Sequence, residues 1–247
     1  MNVTRQKIDM SVDLGGIRMK NPVTVASGTF GYGQEYAGLV DVTRLGAITV
    51  KGIRLREWPG NPLPRHVEVP GGMLNAIGLQ GPGVDGFARN YMPFLRTTGV
   101  PVIVNIWGTD ESEYVEVARR LSEVEGVSGL ELNISCPNVK EGGSAFGTDP
   151  RTAASLVAAV RRATTLPLMP KLAPNVPDIK VFVRAAQDAG ADALSMINTL
   201  PAMAIDIETR RPVLANKVGG LSGSAVHPVA VKLVWEAAQV ARVPILA

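Results

Sequence analysis

Short apolar runs recur along the chain, separated by segments whose apolar positions follow a helical period. The runs are VTVASG from Val23, AITVKG from Ala47, PVIVNIWG from Pro101, GLELNISC from Gly129, PLMPKLAP from Pro167, ADALSMINT from Ala191 and VPILA from Val243. Each is strand-length and almost continuously apolar, as in a strand buried on both faces of a parallel sheet. Between them the spacing predicts helices over Glu35–Arg44, Val84–Arg96, Glu111–Glu125, Pro150–Thr164, Asp178–Ala189 and Pro228–Arg242. Asp149 before Pro150, and Ser224 to Pro228, carry helix-start signals. The opening segment, Ile8 to Lys20, reads as a hairpin turning at Gly15-Gly16.

Strand and helix alternating in this way predict an α/β fold, and the seven units point to a (β/α)8 TIM barrel with an N-terminal hairpin. A doubly wound open sheet has the same local pattern, although no GxGxxG follows the first strand. A barrel needs eight strands, and the chain ends within the seventh. The expectation is therefore one domain, residues 1–247, with its last strand-helix units missing. Its phosphate-gripping elements would be missing too, since barrels of this kind hold phosphate after strands seven and eight.

Composition narrows the function. With 247 residues, 46% of them apolar, the chain can bury one large core, and its 26 Gly and 18 Pro are spread between the apolar runs. The net charge of +3 comes without a basic run, so a small anionic ligand fits better than nucleic acid. No apolar stretch has the length of a membrane span or signal peptide, which predicts a cytoplasmic protein with no membrane partner. The single cysteine, Cys136, excludes an internal disulfide or an all-cysteine cluster site within these 247 residues. His66 and His227 lack metal-ligand spacing, so no metal is expected.

In a (β/α)8 barrel the active site is built at the C-terminal ends of the strands. Those ends supply Ser27, Lys51, Asn105, Asn133, Cys136, Lys171, Asn198 and Thr199, with Asn75 in the loop after the second strand. A lone Asn ending an apolar run is usually a turn or cap. Several amides aimed at one mouth instead suit a flat heterocycle with alternating C=O and N–H groups, because an amide both donates and accepts. Lys51 and Lys171 would either snorkel at the rim, fix a positive charge or form a Schiff base. A unit charge about 4 Å away contributes about 4 kcal/mol at an effective dielectric of 20. Cys136 is either a small buried hydrophobe or a reactive thiol, its position after a strand and before a Gly-rich loop raising the second reading.

The segments VTVASGTFG, TVKG, GMLNAIGLQGPG, ELNISCPNVKEGG, PKLAPN and INTLPAMAIDIETRRPVLANKVGGLSG resemble the class 1B dihydroorotate dehydrogenases, in order and spacing, from about Val23 to Leu246. That resemblance implies a TIM barrel with FMN at its mouth, oxidising dihydroorotate to orotate in pyrimidine biosynthesis. It makes Cys136 the base that takes a proton from C5 while hydride passes from C6 to FMN. Lys51, Asn75, Ala76, Ile77, Gly78, Leu79, Asn133, Asn198 and Thr199 match orotate-contacting positions. Ser27, Lys51, Gly52, Asn105, Asn133, Lys171, Ile197 and Gly223 match flavin-holding ones. The membrane-bound class 2 enzymes carry serine in place of the cysteine. The class 1B likeness further implies a partner subunit carrying FAD and an iron-sulfur cluster, with NAD as final acceptor, in a dimer of heterodimers. Small departures stand at Gly81, Ser224 and His227, where the family often has Asn, Pro and Lys; the family's Gly-rich flavin-phosphate motifs are the larger omission.

Three other readings remain open on the sequence. The pyrimidine-reducing domain of dihydropyrimidine dehydrogenase shares this barrel and a catalytic cysteine. A barrel lyase would use Lys51 or Lys171 as a Schiff base. A non-catalytic truncated fragment would bind no cofactor.

Overall fold

A computed structural model of the chain describes residues 8–134 and 147–247. In chain order the elements are β1 (Val12–Leu14), β2 (Ile17–Met19), β3 (Thr24–Val25), β4 (Ala47–Ile53), β5 (His66–Val69), β6 (Gly72–Asn75), α1 (Gly83–Asn90), α2 (Met92–Thr97), β7 (Val102–Ile106), α3 (Glu111–Ser122) and β8 (Val127–Asn133). There follow α4 (Pro150–Ala163), β9 (Leu168–Lys171), α5 (Ile179–Asp188), β10 (Leu194–Ser195), β11 (Leu200–Ala202), β12 (Ile205–Asp206), β13 (Arg211–Pro212), β14 (Gly219–Ser222), α6 (His227–Ala238) and β15 (Ile245–Leu246).

All seven apolar runs supply a strand to one sheet, in the order β3-β4-β7-β8-β9-β10-β15, and every neighbouring pair is parallel. A doubly wound sheet must reverse its strand order at a switch point. This sheet runs in chain order from edge to edge, as the wall of a TIM barrel does. The open-sheet alternative is thereby removed.

The two faces of the wall follow from the two-residue period of a strand. Ile48 and Val50, Val104 and Ile106, Leu130 and Leu132, Leu168 and Leu194 point outward and pack with Leu121, Val157, Val160, Phe182 and Val183 of the helices. Their neighbours Ala47, Ile103, Met169 and Ala193 point inward, where they form a second cluster with Leu14, Ile17 and Met19 of the hairpin. Each of the larger side chains among these, the Leu, Ile, Val and Met, contributes about 1.5–3 kcal/mol. The hairpin therefore stoppers the end of the barrel at which the strands begin. One step further along the same inner face stand Thr49, Asn105, Glu131, Lys171 and Ser195, all buried and all polar or charged. The inner face thus changes from apolar at the stoppered end to polar at the other.

Three helix starts, those of α3, α4 and α5, are set by aspartates. Asp110 accepts from the Glu113 N–H (2.9 Å), Asp149 from the Thr152 N–H (2.9 Å) and Asp178 from the Lys180 N–H (3.0 Å), each such cap being worth about 1 kcal/mol. Helix α6 begins instead with His227 and Pro228 and has no side-chain cap.

Three expectations need correction. No α-helix forms over Glu35–Arg44; that stretch holds two three-residue 3-10 turns, Gln34–Tyr36 and Val42–Arg44. Gly38 and the β-branched Val40, Val42 and Thr43 disfavour helix, and Asp41 caps the second turn. The helix over Val84–Arg96 is two helices, because Pro93 lacks an N–H and fits only the first turn of a new one. Asn75 is not in a loop: it ends β6, within a four-stranded antiparallel sheet β11-β14-β6-β5 drawn from two insertions far apart in sequence.

The hairpin turn is tightly seated. Gly15 has φ of 59°, and a Cβ built there would lie 2.3 Å from the Asp192 carbonyl oxygen. Gly99 has similar φ, 63°, with open space around it. We expect Gly15→Ala to destabilise the protein by about 1–3 kcal/mol more than Gly99→Ala. Urea unfolding of the two variants checks this, and equal losses would mean the stopper does not seat on Asp192 in solution.

Candidate active site

The polar end of the inner face is organised around one carboxylate. Glu131, on β8 and 2% exposed, accepts at Oε1 from the Ser27 hydroxyl and from the Asn105 amide, each at 2.6 Å. At Oε2 it accepts from the Ser195 hydroxyl, also at 2.6 Å. Lys171 Nζ lies 3.7 Å from Glu131 Oε1 and donates to Ser27 Oγ at 3.2 Å. Burial alone would push the Glu131 carboxyl up, but the Lys171 ammonium and the three hydrogen bonds outweigh it and hold the group below the ordinary glutamate value. Glu131 is therefore ionised, and Lys171 faces an anion within the barrel wall.

Beside this network, Asn133 and Asn198 meet: the Asn198 amide donates to Asn133 Oδ1 at 3.3 Å, and Tyr114 fixes the Asn133 carbonyl at 2.7 Å. Asn198 Oδ1 also accepts the Thr199 N–H at 2.8 Å. Lys51, near the end of β4, is half-buried. Its ammonium is pushed below the usual lysine range, by burial first and then by the Arg65 charge, with Glu35 opposing. At Gly52 a side chain is excluded on contact: a Cβ would meet Asn105 Oδ1 at 2.9 Å and Trp107 Cδ1 at 3.1 Å. The backbone at Gly52 thus packs directly against Asn105 and Trp107.

The segment Asn75 to Leu79 is strapped down through its carbonyls. Asn61 donates to Ala76 O from its amide and to Ile77 O from its backbone, both at 3.0 Å, while Trp58 Nε1 donates to Gly78 O at 2.9 Å. Gly78 and Leu79 take positive φ, 75° and 58°, which turns the chain sharply there. Asn75 Nδ2 reaches Gly220 O at 3.4 Å, and Thr199 packs against Gly220. Trp58 in turn is held by Arg54, whose guanidinium lies 5.0 Å from the Trp58 ring and 4.9 Å from the Trp107 ring. Glu113 grips Arg54 through two hydrogen bonds, 2.7 and 2.9 Å.

Of the sequence-predicted residues, Ser27, Asn105 and Lys171 converge on Glu131; Asn133 joins Asn198; Gly52 abuts Asn105 and Leu79; and Asn75 and Thr199 share Gly220. Ile197 is half-buried against the outer core. Gly223 stands apart, exposed and packed on Gly71 and Gly72 at the far end of β6 from Asn75. Cys136 lies outside the described residues. Sequence reasoning missed Glu131 and Ser195. The signal for Glu131 was a charged residue inside the apolar run GLELN, at the same strand parity as Asn133.

A parallel barrel wall with a buried ammonium-carboxylate pair and neighbouring amides at the C-terminal ends of its strands has its polar residues where enzymes of the TIM-barrel class build their active sites. The comparisons narrow this. The dihydroorotate dehydrogenase family model matches residues 9–247. The chain is 56% identical over 240 residues to dihydroorotate dehydrogenase B (NAD(+)), catalytic subunit, of Pelobacter propionicus, covering 97% of this chain and 79% of that protein. The like-named proteins of Geotalea uraniireducens and Citrifermentans bemidjiense are each 55% identical, over 97% and 98% of this chain and 79% of their own lengths. The chain belongs to the dihydroorotate dehydrogenase family.

The clamp under the Asn75–Leu79 segment carries a pH signature. Burial pushes the Glu113 carboxyl up, but Arg54 and the N–H and hydroxyl of Thr109 prevail and hold it below the ordinary value of 4.5. A depressed folded-state value means stabilisation present above pH 4.5 and lost as pH falls through the lower, folded value. We expect Glu113→Gln to cost about 2 kcal/mol near neutrality and to flatten the acid limb of stability. Urea titrations across pH test it; parallel wild-type and variant curves would contradict it.

Proposed function

We propose that this chain oxidises dihydroorotate to orotate in pyrimidine biosynthesis, using FMN held at the polar end of the barrel. The observation that carries the reading is the inner-face layer of Ser27, Asn105 and Lys171 around Glu131, in a chain 56% identical to a protein named as the catalytic subunit of this enzyme. The residues present fit a flavin: the Asn105 amide and the Lys171 ammonium stand together around Glu131, polar groups of the kind that a flavin ring's C=O and N–H groups would meet.

Bound FMN would supply a two-electron acceptor for the substrate. The chain's own residues do the rest. Ser27, Gly52, Asn105 and Lys171 hold the isoalloxazine side; Lys51, Asn133 and Ile197 belong to the flavin set with them, and Gly223, which stands apart, is included on the resemblance alone. Lys51, Asn75, Asn133, Asn198 and Thr199, with the strapped Ala76 to Leu79 backbone, orient the pyrimidine. Amides suit it because each matches a ring C=O or N–H. Lys51 is assigned to the substrate carboxylate, an anion that would offset the cost of burying its ammonium. Cys136 takes the C5 proton; it follows Asn133 by three positions and carries this role on sequence grounds.

The like-named relatives are described as NAD(+) enzymes and as catalytic subunits, which supports a partner that passes electrons to NAD. We assign that partner FAD and an iron-sulfur cluster, and a dimer-of-heterodimers assembly, on the resemblance to the class 1B enzymes. A cytoplasmic site of action belongs to the same proposal.

Anaerobic stopped-flow reduction of the flavin-loaded, full-length protein tests the reading. Dihydroorotate should bleach the wild-type flavin, and Cys136→Ala should lower that rate about 10²–10⁴-fold while flavin and orotate still bind. Cys136→Ser should keep a trace of activity that rises with pH, since a hydroxyl is the weaker base. Failure of the wild type to respond would overturn the assignment; a near-normal Ala variant would remove Cys136 from the mechanism.

A further inference from the structure

We propose that Glu131 is a positioning residue for the flavin site, anchoring Ser27, Asn105 and Lys171 and offsetting part of the Lys171 charge. The inference rests on the flavin-binding reading above and extends it to a residue that would not touch the ligand. Both carboxylate oxygens are occupied: Oε1 by Ser27 and Asn105, Oε2 by Ser195, each at 2.6 Å. An ionised carboxylate that only accepts hydrogen bonds, with its donors already in place, has no proton to give. Its work is geometric and electrostatic.

The geometry is specific. Ser27 lies 104 residues away in sequence and Ser195 64, so one side chain fixes the relative positions of residues following β3 and on β7, β9 and β10. Ser27 also bridges the pair, accepting from Lys171 at 3.2 Å while donating to Glu131. Without Glu131, Ser27, Asn105 and Lys171 would each lose a partner, and among the described residues the ammonium would keep the serine oxygen.

The electrostatics follow. A fixed cation beside a flavin favours its anionic reduced form, and a buried anion behind that cation lessens the effect. Glu131 therefore moderates the oxidising power of the site while holding Lys171 in place. The pair being buried, removal of one partner is felt strongly.

Two variants separate charge from geometry. Glu131→Gln keeps the size and removes the charge; the flavin midpoint potential, measured by dye equilibration on the flavin-loaded protein, should shift positive. Glu131→Asp keeps the charge and shortens the reach; the potential should stay near that of the wild type while flavin affinity falls about tenfold. In flavin-free protein, mass-spectrometric labelling of Lys171 by a small acylating reagent should rise about tenfold in both variants, since its ammonium loses its anchor. A side chain that merely filled space would lower flavin affinity without moving the potential upward in the Gln variant. An unchanged or negative shift in that variant, or Lys171 labelling equal to the wild type in both, would overturn the proposal. Should Glu131→Gln not fold, labelling of Glu131→Asp decides. If the wild type binds no flavin, the functional reading fails, and the labelling still decides whether Glu131 anchors Lys171.

Discussion

An ionised carboxylate inside a barrel wall is costly unless donors surround it, and the donors around Glu131 come from the other strands. Ser27, Asn105, Lys171 and Ser195 each reach it only if their strands stand side by side in register. Asn105 is the register partner of Glu131, and Lys171 is that of Asn133. A one-residue slip would turn these side chains to the helix-packed face. Satisfying one buried charge therefore ties together the register of the wall and the shape of its polar end.

The rest of the architecture gives that end its direction. The hairpin closes the other end with Leu14, Ile17 and Met19 against Ala47, Ile103, Met169 and Ala193, leaving the polar layer as the open side of the inner face. Outside the wall, the helices bury the alternate residues of the same strands. The antiparallel sheet and the Arg54 clamp then hold Asn75 to Leu79 in fixed relation to Gly52 and Asn105. A flat ligand bound between them would meet groups already oriented by packing, which lowers the ordering cost of binding.

Much of this was legible in the sequence. The seven runs gave the strands because continuous apolarity is forced on a strand covered on both faces, and Asn105, Asn133 and Lys171 stood out as polar exceptions at run ends. Glu131 was harder to see, since a charge in mid-strand gains meaning only when partners from distant segments are known; Ser195 looked like any small residue of a buried strand. The antiparallel sheet was hidden for a different reason. Its strands are three to four residues long and come from insertions after β4 and β10, too short for periodicity to register. Tyr91 and Pro93 show the opposite failure, a helical pattern that continues across a break which backbone chemistry imposes.

The central proposal is that the residues gathered by Glu131 hold a flavin at the polar end of the wall. A crystal structure of the FMN-loaded protein with orotate tests it most directly. The account predicts the flavin ring against Gly52, with Asn105 and Lys171 within hydrogen-bond distance of it and the bonds of Glu131 to Ser27 and Ser195 retained. A flavin bound elsewhere, or a Glu131 side chain turned away from these partners, would contradict it.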